Sequence, residues 1–372
     1  MAHLINESTA LLDRAVLNKI RIDSFEDFER LQNQGVVVVN PKSKVDYICP
    51  SGQEFTSLQI TADGLINNMV AGARILGNSR VEYCSVSTSP KRDDGTNVRC
   101  YTVDEYTGHL TRLQGHLRDV YGIRADFSMA QFKELEINKT FKLKQDFREY
   151  RRVIELIMHN LPASFKQDMT FSTRTKQDKN SCMMDSLPGT YYARTGKSNK
   201  SDRYLLFKIY DKTRSVENTI TLTESYMRIE LRLVGAEKIA RDLGTNVFSE
   251  ITDQKINEYF DKQMNKLIVQ PIKKWKIQRD KLVVSLMKEK QDQDIKHWQV
   301  NTLLTLSSME NEQYCPVLLD VSELMELVPQ VVTGRKLRYK VKCNFRTKAR
   351  ENAEVFCQND DKKLEEILGK VV

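Results

Sequence analysis

The sequence predicts an α+β fold in which helices pack on an antiparallel sheet. Three observations lead to this prediction. Short β-branched or alternating segments recur along the first two thirds of the chain, amphipathic helical segments separate several of them, and turn residues lie between. Hydrophobic residues make up 40% of the 372 residues and charged residues 29%, as in folded globular proteins. This length favours two or three domains.

The first predicted elements lie in residues 1–40, which begin with a polar segment interpreted as helical. The β-branched run GVVVVN at 35–40 then predicts a strand. Strand-like pieces alternate with turn residues from 44 to 103. A helix is predicted over 104–121, and the segment KELEINKTFKL at 133–143 is interpreted as a strand.

The clearest helix is predicted over 145–161, where apolar residues recur at three- and four-residue spacing and Pro162 ends the pattern. Further strands are predicted at 167–173, 203–210 and 226–234. The last of these alternates cleanly and leads into a helix that Gly244 ends.

After residue 250 the pattern becomes mainly helical. Residues 253–291 are predicted to be helical, with Pro271 where a second helix can begin, and the chain is expected to end in a helix. Residues 320–333 are interpreted as a helix or turn. The segment KLRYKVKCNFR at 336–346 alternates strictly, which predicts a short strand. Its basic face comprises Lys336, Arg338, Lys340, Lys342 and Arg346.

The sequence motifs typical of several classes of enzyme are absent from this chain. The chain has no P-loop, no GxGxxG after a strand and no GxSxG, and its five histidines include no pair at metal-binding spacing. The seven cysteines are scattered, without zinc spacing, which favours a reducing compartment, most simply the cytoplasm. We expect no membrane association, because no apolar run is long enough to span a bilayer and the polar start is unlike a signal peptide.

Basic residues and tyrosines are interleaved at 191–214. The formal net charge of +8 fits either a lysine-rich soluble protein or one with a polyanionic partner. In 191–214, cations can neutralise phosphates and aromatic rings can stack on unpaired bases, so the mixture suits single-stranded DNA. The four tyrosines are Tyr191, Tyr192, Tyr204 and Tyr210, and packing is the ordinary role of any one of them.

Acidic residues on the predicted strands are candidate metal ligands. Glu134 and Glu136 share one strand face, Asp168 lies in the strand at 167–173, and Glu230 is flanked by Arg228 and Arg232. Converging carboxylates are hard oxygen ligands suited to Mg²⁺ or Mn²⁺. On periodicity alone, a solvent-facing charge is the better interpretation of each.

The order of the strands resembles that of rolling-circle replication initiators. The segments RYLLFKIYDKTRSVE and ESYMRIELRLVGAEKIARDLG resemble the tyrosine-bearing region of the Rep_trans-type plasmid initiators and of the filamentous-phage gene II replication nickases. The segments ELEINKTFKL and QDMTFST are similar to the family's earlier acidic strands. The likeness covers roughly residues 120–245 and implies an HUH-like sheet in which acidic residues replace the paired histidines.

The resemblance implies a set of site residues. Tyr210 falls on the family's nucleophile, Glu136 and Asp168 on its metal-binding carboxylates, and Glu230 on its late strand glutamate. Lys208 lies on the strand face of Tyr210 and is expected to stabilise the phenolate or hold phosphate. Further contribution to the metal site by Glu134 or Asp126 is left open. The expected DNA-binding residues are Arg203, Lys212, Arg228, Lys336, Arg338 and Lys340.

The function implied is a site-specific DNA nickase that starts rolling-circle replication of a plasmid or phage. Mg²⁺ or Mn²⁺ would polarise the scissile phosphate, and attack by tyrosine would leave a 5′-phosphotyrosyl link and a free 3′-OH. Two alternatives remain: a relaxase that nicks at the transfer origin of a mobile element, and a non-catalytic DNA-binding regulator.

The domains expected are an N-terminal extension at 1–40, an HUH-like nickase domain at 41–248 and a C-terminal DNA-binding or dimerisation domain at 249–372. Expected partners are origin DNA, both single-stranded and duplex, a host helicase and a second copy of the chain.

Overall fold

The structure is a computed structural model. It describes residues 9–23, 30, 38–39, 56–63, 65–76, 79–89, 99–165, 169–172, 189–195, 203–215, 224–288, 334–336, 338–340, 342–343 and 360–371. The chain divides into two compact units, each built from two stretches of sequence. Unit 1 comprises residues 1–142 and 194–260, and unit 2 comprises residues 143–193 and 261–372.

Unit 1 is built on an antiparallel sheet. Its strands lie in the order β3-β4-β5-β6-β1-β8-β12-β11, so β1 and β8 are central neighbours although 112 residues separate their ends. The strand bounds are β1 Leu11–Asn18, β3 Val38–Val39, β4 Thr56–Asp63, β5 Ile66–Leu76, β6 Ser79–Thr88, β8 Gln131–Lys142, β11 Tyr204–Asp211 and β12 Tyr226–Val234. A separate pair is formed by β2 Arg21–Ile22 and β7 Ala125–Asp126.

Alternation along β8, β12 and β11 gives this part of the sheet one apolar face. Leu135 and Ile137 of β8, Ile229 of β12 and Phe207 of β11 are all fully buried. Successive side chains of a strand point to opposite faces, so the residues between them project from the other face. That second face carries Glu136, Asn138 and Thr140 of β8, Arg228 and Glu230 of β12, and Lys208 and Tyr210 of β11.

The first long helix, α1 Val103–Tyr121, begins and ends at residues suited to those positions. Thr102 and Glu105 form a capping box, in which each side chain accepts a hydrogen bond from the other's backbone N–H. Gly122 follows the helix with φ 67°, a left-handed conformation that glycine adopts without strain. The helix buries an apolar side that includes Tyr106, Leu110 and Leu113.

The later helices of the chain include two short ones, α3 Lys212–Ser215 and α4 Ala236–Leu243. The helix α4 ends at Gly244, which has φ 80°. Helix α5 Asp253–Met264 continues through a π-helical turn, Asn265–Val269, into α6 Gln270–Lys288. Among the described residues, no helix has the length and apolar character needed to cross a membrane.

Unit 2 contains a 3₁₀ turn, Phe147–Tyr150, followed by α2 Arg151–His159. It also contains β9 Met169–Ser172, paired with β10 Thr190–Arg194, and the helix α7 Asp360–Val371. Two ion pairs at the start of α7 contribute to packing inside this unit. Asp361 lies 3.2 Å from Arg279, and Asp360 lies 3.5 Å from Arg152.

The mixed α and β content and the antiparallel sheet confirm the predicted α+β class at that level. The strands predicted at 133–143, 203–210 and 226–234 are confirmed. The helices predicted over 104–121 and 145–161 are confirmed as well. Helical structure is likewise confirmed over 253–288, and α7 is the helix expected at the end of the chain. The residues at 320–333 lie outside those described.

Two predictions of secondary structure are wrong. The described part of the segment interpreted as an N-terminal helix contains a strand, Leu11–Asn18, because β6 and β8 flank it and supply its hydrogen-bonding partners. The basic segment at 336–346 was predicted as a strand, but its described residues between 335 and 343 are helical. The hydrogen bond from the Arg338 N–H to the Gly334 carbonyl, at 3.0 Å, has the spacing of an α-helix.

Candidate active site

The polar face of the sheet in unit 1 brings together residues from β8, β12 and β11. In the strand register, Lys208 is opposite Glu230, and Glu230 is opposite Asn138. In the next row, Tyr210 is opposite Arg228, which is in turn opposite Thr140. Residues directly opposite each other on antiparallel strands project from the same face. The register therefore places the predicted nucleophile and the late strand glutamate side by side.

An irregularity in β1 adds an acidic residue to this face. The pairing of β1 with β8 shifts between Leu12 and Ala15, so Asp13 and Arg14 together are opposite Glu136. Such a bulge redirects side chains relative to a regular strand. Carboxylate oxygens of Asp13, Glu136 and Glu230 all lie within 4.8 Å of one another, and the three residues are buried. We call these three residues the acid cluster.

Basic side chains neutralise the acid cluster. Lys208 forms an ion pair with Glu230 through Oε1, and its Nζ lies 3.9 Å from Oε1 of Glu136. The Arg228 guanidinium is 3.1 Å from Asp13, and Arg232 is 3.3 Å from Glu136. Buried carboxylates this close together require such counter-charges, because desolvation and mutual repulsion disfavour their ionised forms.

The pKa values in the cluster follow from this balance. Burial raises the pKa of Glu136 to about 7, and the neighbouring Glu230 carboxylate adds to the effect while Lys208 opposes it. Burial also acts to lower the pKa of Lys208. The attraction of Glu230 and Glu136 outweighs it, so that pKa is raised and the side chain carries a positive charge at neutral pH.

Tyr210 directs its phenol at the acid cluster. The hydroxyl donates a hydrogen bond of 3.3 Å to Oε2 of Glu230, while Oε1 of the same carboxylate faces Lys208. Burial raises the pKa of Tyr210 well above its ordinary value, with Arg228 opposing the rise and Glu230 adding to it. The phenol is therefore protonated at neutral pH, and a nucleophilic role requires a group that accepts its proton. Glu230 is in position to do so.

Two residues predicted to bind DNA are buried instead. Arg228 is fully buried, where its Nε donates a 2.8 Å hydrogen bond to Oγ1 of Thr140. Lys212, at the start of α3, is 2% exposed, and burial followed by repulsion from Arg228 lowers its pKa to about 8. The prediction of surface phosphate contacts is therefore wrong for both. Both basic groups lie close to Asp13 of the acid cluster.

The remaining candidates are placed as follows. Arg203 is exposed and forms an ion pair with Glu237, with a hydrogen bond of 2.7 Å. Asp168 lies outside the described residues, so its predicted metal-binding role stays a prediction. Glu134 forms an ion pair with Arg232.

Asp126 is exposed and accepts hydrogen bonds from the backbone and side chain of Ser128, in a turn after β7. Neither Glu134 nor Asp126 belongs to the acid cluster found among the described residues. Lys336, Arg338 and Lys340 lie in the helical segment of unit 2.

Asp13 is a candidate that the sequence did not reveal. Its segment, LLDRAVLN, was interpreted as helical, and 123 positions separate Asp13 from Glu136 in the chain. Burial alternates only from Asp13 to Asn18, and the letters LLDRAVLN do not show that alternation as an apolar/polar pattern. The bulge that turns Asp13 towards Glu136 leaves no recognisable pattern in a single sequence.

Comparisons with known proteins were made for the whole chain. No protein-family model matches it, and no curated protein matches it. A solved structure with a partial likeness is that of the di-domain ARO/CYC BexL from the BE-7585A biosynthetic pathway. It is 9% identical, the alignment covers 66% of this chain and 92% of that chain, and the TM-score is 0.19. A likeness this weak carries no argument about fold or function.

Proposed function

We propose that the chain is a site-specific DNA nickase with an HUH-like sheet, in which Tyr210 is the nucleophile and the acid cluster supports the reaction. The observation that carries the proposal is the hydrogen bond from the Tyr210 phenol to Glu230, one of three clustered and buried carboxylates. The resemblance to rolling-circle initiators suggests that the nick starts replication of a plasmid or phage. The same chemistry would serve a relaxase acting at a transfer origin.

The residues of the cluster can each be given a role. Oε2 of Glu230 takes the phenol proton as the Tyr210 oxygen attacks the scissile phosphorus. The new bond is a 5′-phosphotyrosyl ester. The bond to the 3′-oxygen breaks, and that oxygen takes up a proton from solvent to give a free 3′-OH. Because one phosphate ester replaces another, the strand can later be rejoined by the reverse attack.

Lys208 and Arg228 place positive charge near the phenol. Lys208 is bound to the Glu230 carboxylate that accepts the proton, and Arg228 is opposite Tyr210 in the strand register. Positive charge near the oxygen favours the phenolate that develops during attack. Both cations are held by ion pairs before substrate binds, which keeps them oriented.

The donor set of the acid cluster fits a hard divalent cation such as Mg²⁺ or Mn²⁺, which prefers carboxylate oxygens. Asp13, Glu136 and Glu230 would hold it, and a bound cation would polarise the scissile phosphate and neutralise its developing charge. The ammonium group of Lys208 is ion-paired with two of these three carboxylates. It therefore competes with a metal ion for them.

A nicking assay with a matched control tests the proposal. Supercoiled plasmid carrying DNA that flanks the coding sequence is incubated with the full-length protein and Mg²⁺ or Mn²⁺. We expect nicked circles and a covalent protein–DNA adduct with the wild type, and neither with Tyr210→Phe. The control is Tyr204→Phe, which removes a phenol from the same strand and should leave nicking intact. Nicking that persists in Tyr210→Phe would rule out this nucleophile.

A second candidate, a non-catalytic DNA-binding regulator, is favoured by one observation. The carboxylates of the acid cluster are all paired with basic side chains, as in a buried network that only stabilises the fold. For such a protein we expect origin binding by the wild type and Tyr210→Phe alike, with no adduct in either.

A further inference from the structure

The positive charge of the chain is concentrated in one short stretch. Between Gly334 and Arg350 the sequence has eight Lys or Arg residues and no Asp or Glu. The whole chain has 58 basic and 50 acidic residues, a net charge of +8. Subtracting the eight leaves 50 basic and 50 acidic residues elsewhere, so the stretch accounts for the entire excess. The local charge of this stretch therefore attracts a polyanion.

The described residues of this stretch form a surface of defined shape. Residues 335, 336, 338–340, 342 and 343 are helical, and we call them the basic helix. Residues three or four apart are neighbours on a helix, so Arg335, Tyr339 and Lys342 lie on one side. Lys336 and Lys340 form an adjacent row by the same spacing. In the strand predicted from the sequence, Lys336, Arg338, Lys340 and Lys342 would instead have shared one face.

Exposure supports a binding role for this surface. Arg335, Lys336 and Lys340 are exposed, and within the described residues none of them forms an ion pair. Tyr339 is 73% exposed, which is unusual for a large aromatic side chain among the described residues. A phenol surrounded by cations can contact bases or sugars while its neighbours contact phosphates. By contrast, a helix that binds a membrane surface needs a broad apolar side of Leu, Phe or Trp.

We infer that the basic helix binds duplex DNA by lying in the major groove, with Lys336 and Lys340 contacting phosphates and Tyr339 facing the bases. The inference rests on the proposed function, which identifies the polyanion as origin DNA. An α-helix with its side chains is about 10–12 Å in diameter. The major groove of B-DNA is about 12 Å wide and admits an α-helix.

The test compares two double variants of the full-length protein. Lys336→Ala/Lys340→Ala removes two cations from the basic helix. Lys262→Ala/Lys266→Ala removes two exposed lysines at the same spacing from α5 and the π-helical turn. Binding to a fluorescent 20-base-pair duplex from the flanking DNA is measured over a series of salt concentrations. Thermal unfolding midpoints show whether each variant folds as the wild type does.

We expect only the first variant to lose duplex affinity. Each lost phosphate contact lowers the slope of log affinity against log salt by about 0.9, so two lower it by about 1.8 and weaken binding on the order of 50-fold at 0.1 M salt. Cutting of an already unpaired origin oligonucleotide is measured in parallel for the wild type and Tyr210→Phe. This second measurement separates the two proposals. If the nickase proposal is wrong, no Tyr210-dependent cut is observed, whereas the result of the duplex-binding measurement does not depend on it.

Several results would overturn the inference. One is an equal loss of duplex affinity in the Lys262→Ala/Lys266→Ala variant, which would mean that only the net charge of the protein determines binding. Another is a loss of affinity for single-stranded DNA alone in the Lys336→Ala/Lys340→Ala variant. A third is the absence of duplex binding by the wild type. Vesicles containing anionic phosphatidylserine provide the last comparison. Binding to them that depends on Lys336 and Lys340, in place of duplex binding, would assign the basic helix to a membrane surface.

Discussion

Replacing Arg228 by methionine should destabilise unit 1 strongly. Arg228 is fully buried, and its guanidinium lies 3.1 Å from the carboxylate of Asp13, which is 6% exposed. Methionine has a similar length and no charge, so Arg228→Met removes the ion pair while it fills much of the space. The carboxylate of Asp13 then loses this counter-charge in a site that water hardly reaches.

The magnitude follows from the burial of both partners. Removing one member of a buried ion pair costs about 3–5 kcal/mol, because the remaining charge is left in a poorly solvated site. Arg232 offers a matched comparison on the same strand and face. Its side chain is 22% exposed, and it is paired with Glu136 at 3.3 Å. Because water partly screens this pair, Arg232→Met should cost about 1 kcal/mol.

A double-mutant cycle separates the ion pair from packing. Asp13→Leu/Arg228→Met replaces both charges by apolar side chains, and replacing a buried pair in this way is often close to neutral. We therefore expect the double variant to recover about 2–3 kcal/mol relative to the sum of the two single variants. Thr140, which accepts a hydrogen bond from Arg228, is unchanged throughout.

Urea unfolding followed by far-ultraviolet circular dichroism measures these differences. Because the chain has two units, equal slopes of free energy against urea for all variants are needed before the midpoints are compared. A cost below about 1 kcal/mol for Arg228→Met would refute the reasoning. So would strict additivity in the cycle, because it would mean that Asp13 and Arg228 do not interact.

Two further predictions concern metal binding and pH. Lys208→Met should tighten Mn²⁺ binding by about tenfold in calorimetric titrations at pH 8, because the ammonium group no longer competes for Glu230 and Glu136; unchanged affinity would show that Mn²⁺ binds elsewhere. His109 is buried, its Nε2 lies 2.6 Å from Oγ1 of Thr88, and burial lowers its pKa from 6.5 to about 4. Since the unfolded chain takes up this proton first, the contribution of His109 to stability is complete above pH 6.5 and declines as the pH falls towards 4. By pH 4.5 it should have lost about 2.5 kcal/mol, and His109→Gln should remove this part of the pH dependence of urea unfolding; an unchanged pH dependence would contradict it.

Glu136 also contributes to the pH dependence of folding stability, and its contribution has the opposite sign to that of His109. Burial raises the pKa of Glu136 from 4.5 to about 7, so the folded chain takes up this proton first. Its contribution to stability is complete below pH 4.5 and is lost as the pH rises through 7. Glu136→Gln removes that opposing trend, and the His109 effect is read most clearly in its background.

The strands that carry the candidate site were predictable because their pattern has one interpretation. In RYLLFKIYD and YMRIELRLV, apolar and polar residues alternate over eight or nine positions, which suits a half-buried strand and no helix. The helix after β12 was bounded correctly because Gly244 adopts a left-handed conformation that other residues disfavour.

The segment at 336–346 shows where local pattern fails. Its alternation predicts a strand, yet Leu337 and Val341 are also four residues apart in sequence, a spacing that suits one side of a helix. Short segments often satisfy both periods, and contacts made elsewhere in the chain decide between them. The described residues are helical, which changes which basic side chains are neighbours.

By itself, the sequence determined the α+β class, the alternating strands with Tyr210 and Glu230, and the glutamate of β8, because each depends on the periodicity of a few adjacent residues. Only the tertiary structure decided which strands are neighbours, that Asp13 joins Glu136 and Glu230, and that Arg228 and Lys212 are buried. The physical reason is that strand pairing, a bulge and burial depend on contacts between residues far apart in the chain. A single sequence holds no local record of these contacts.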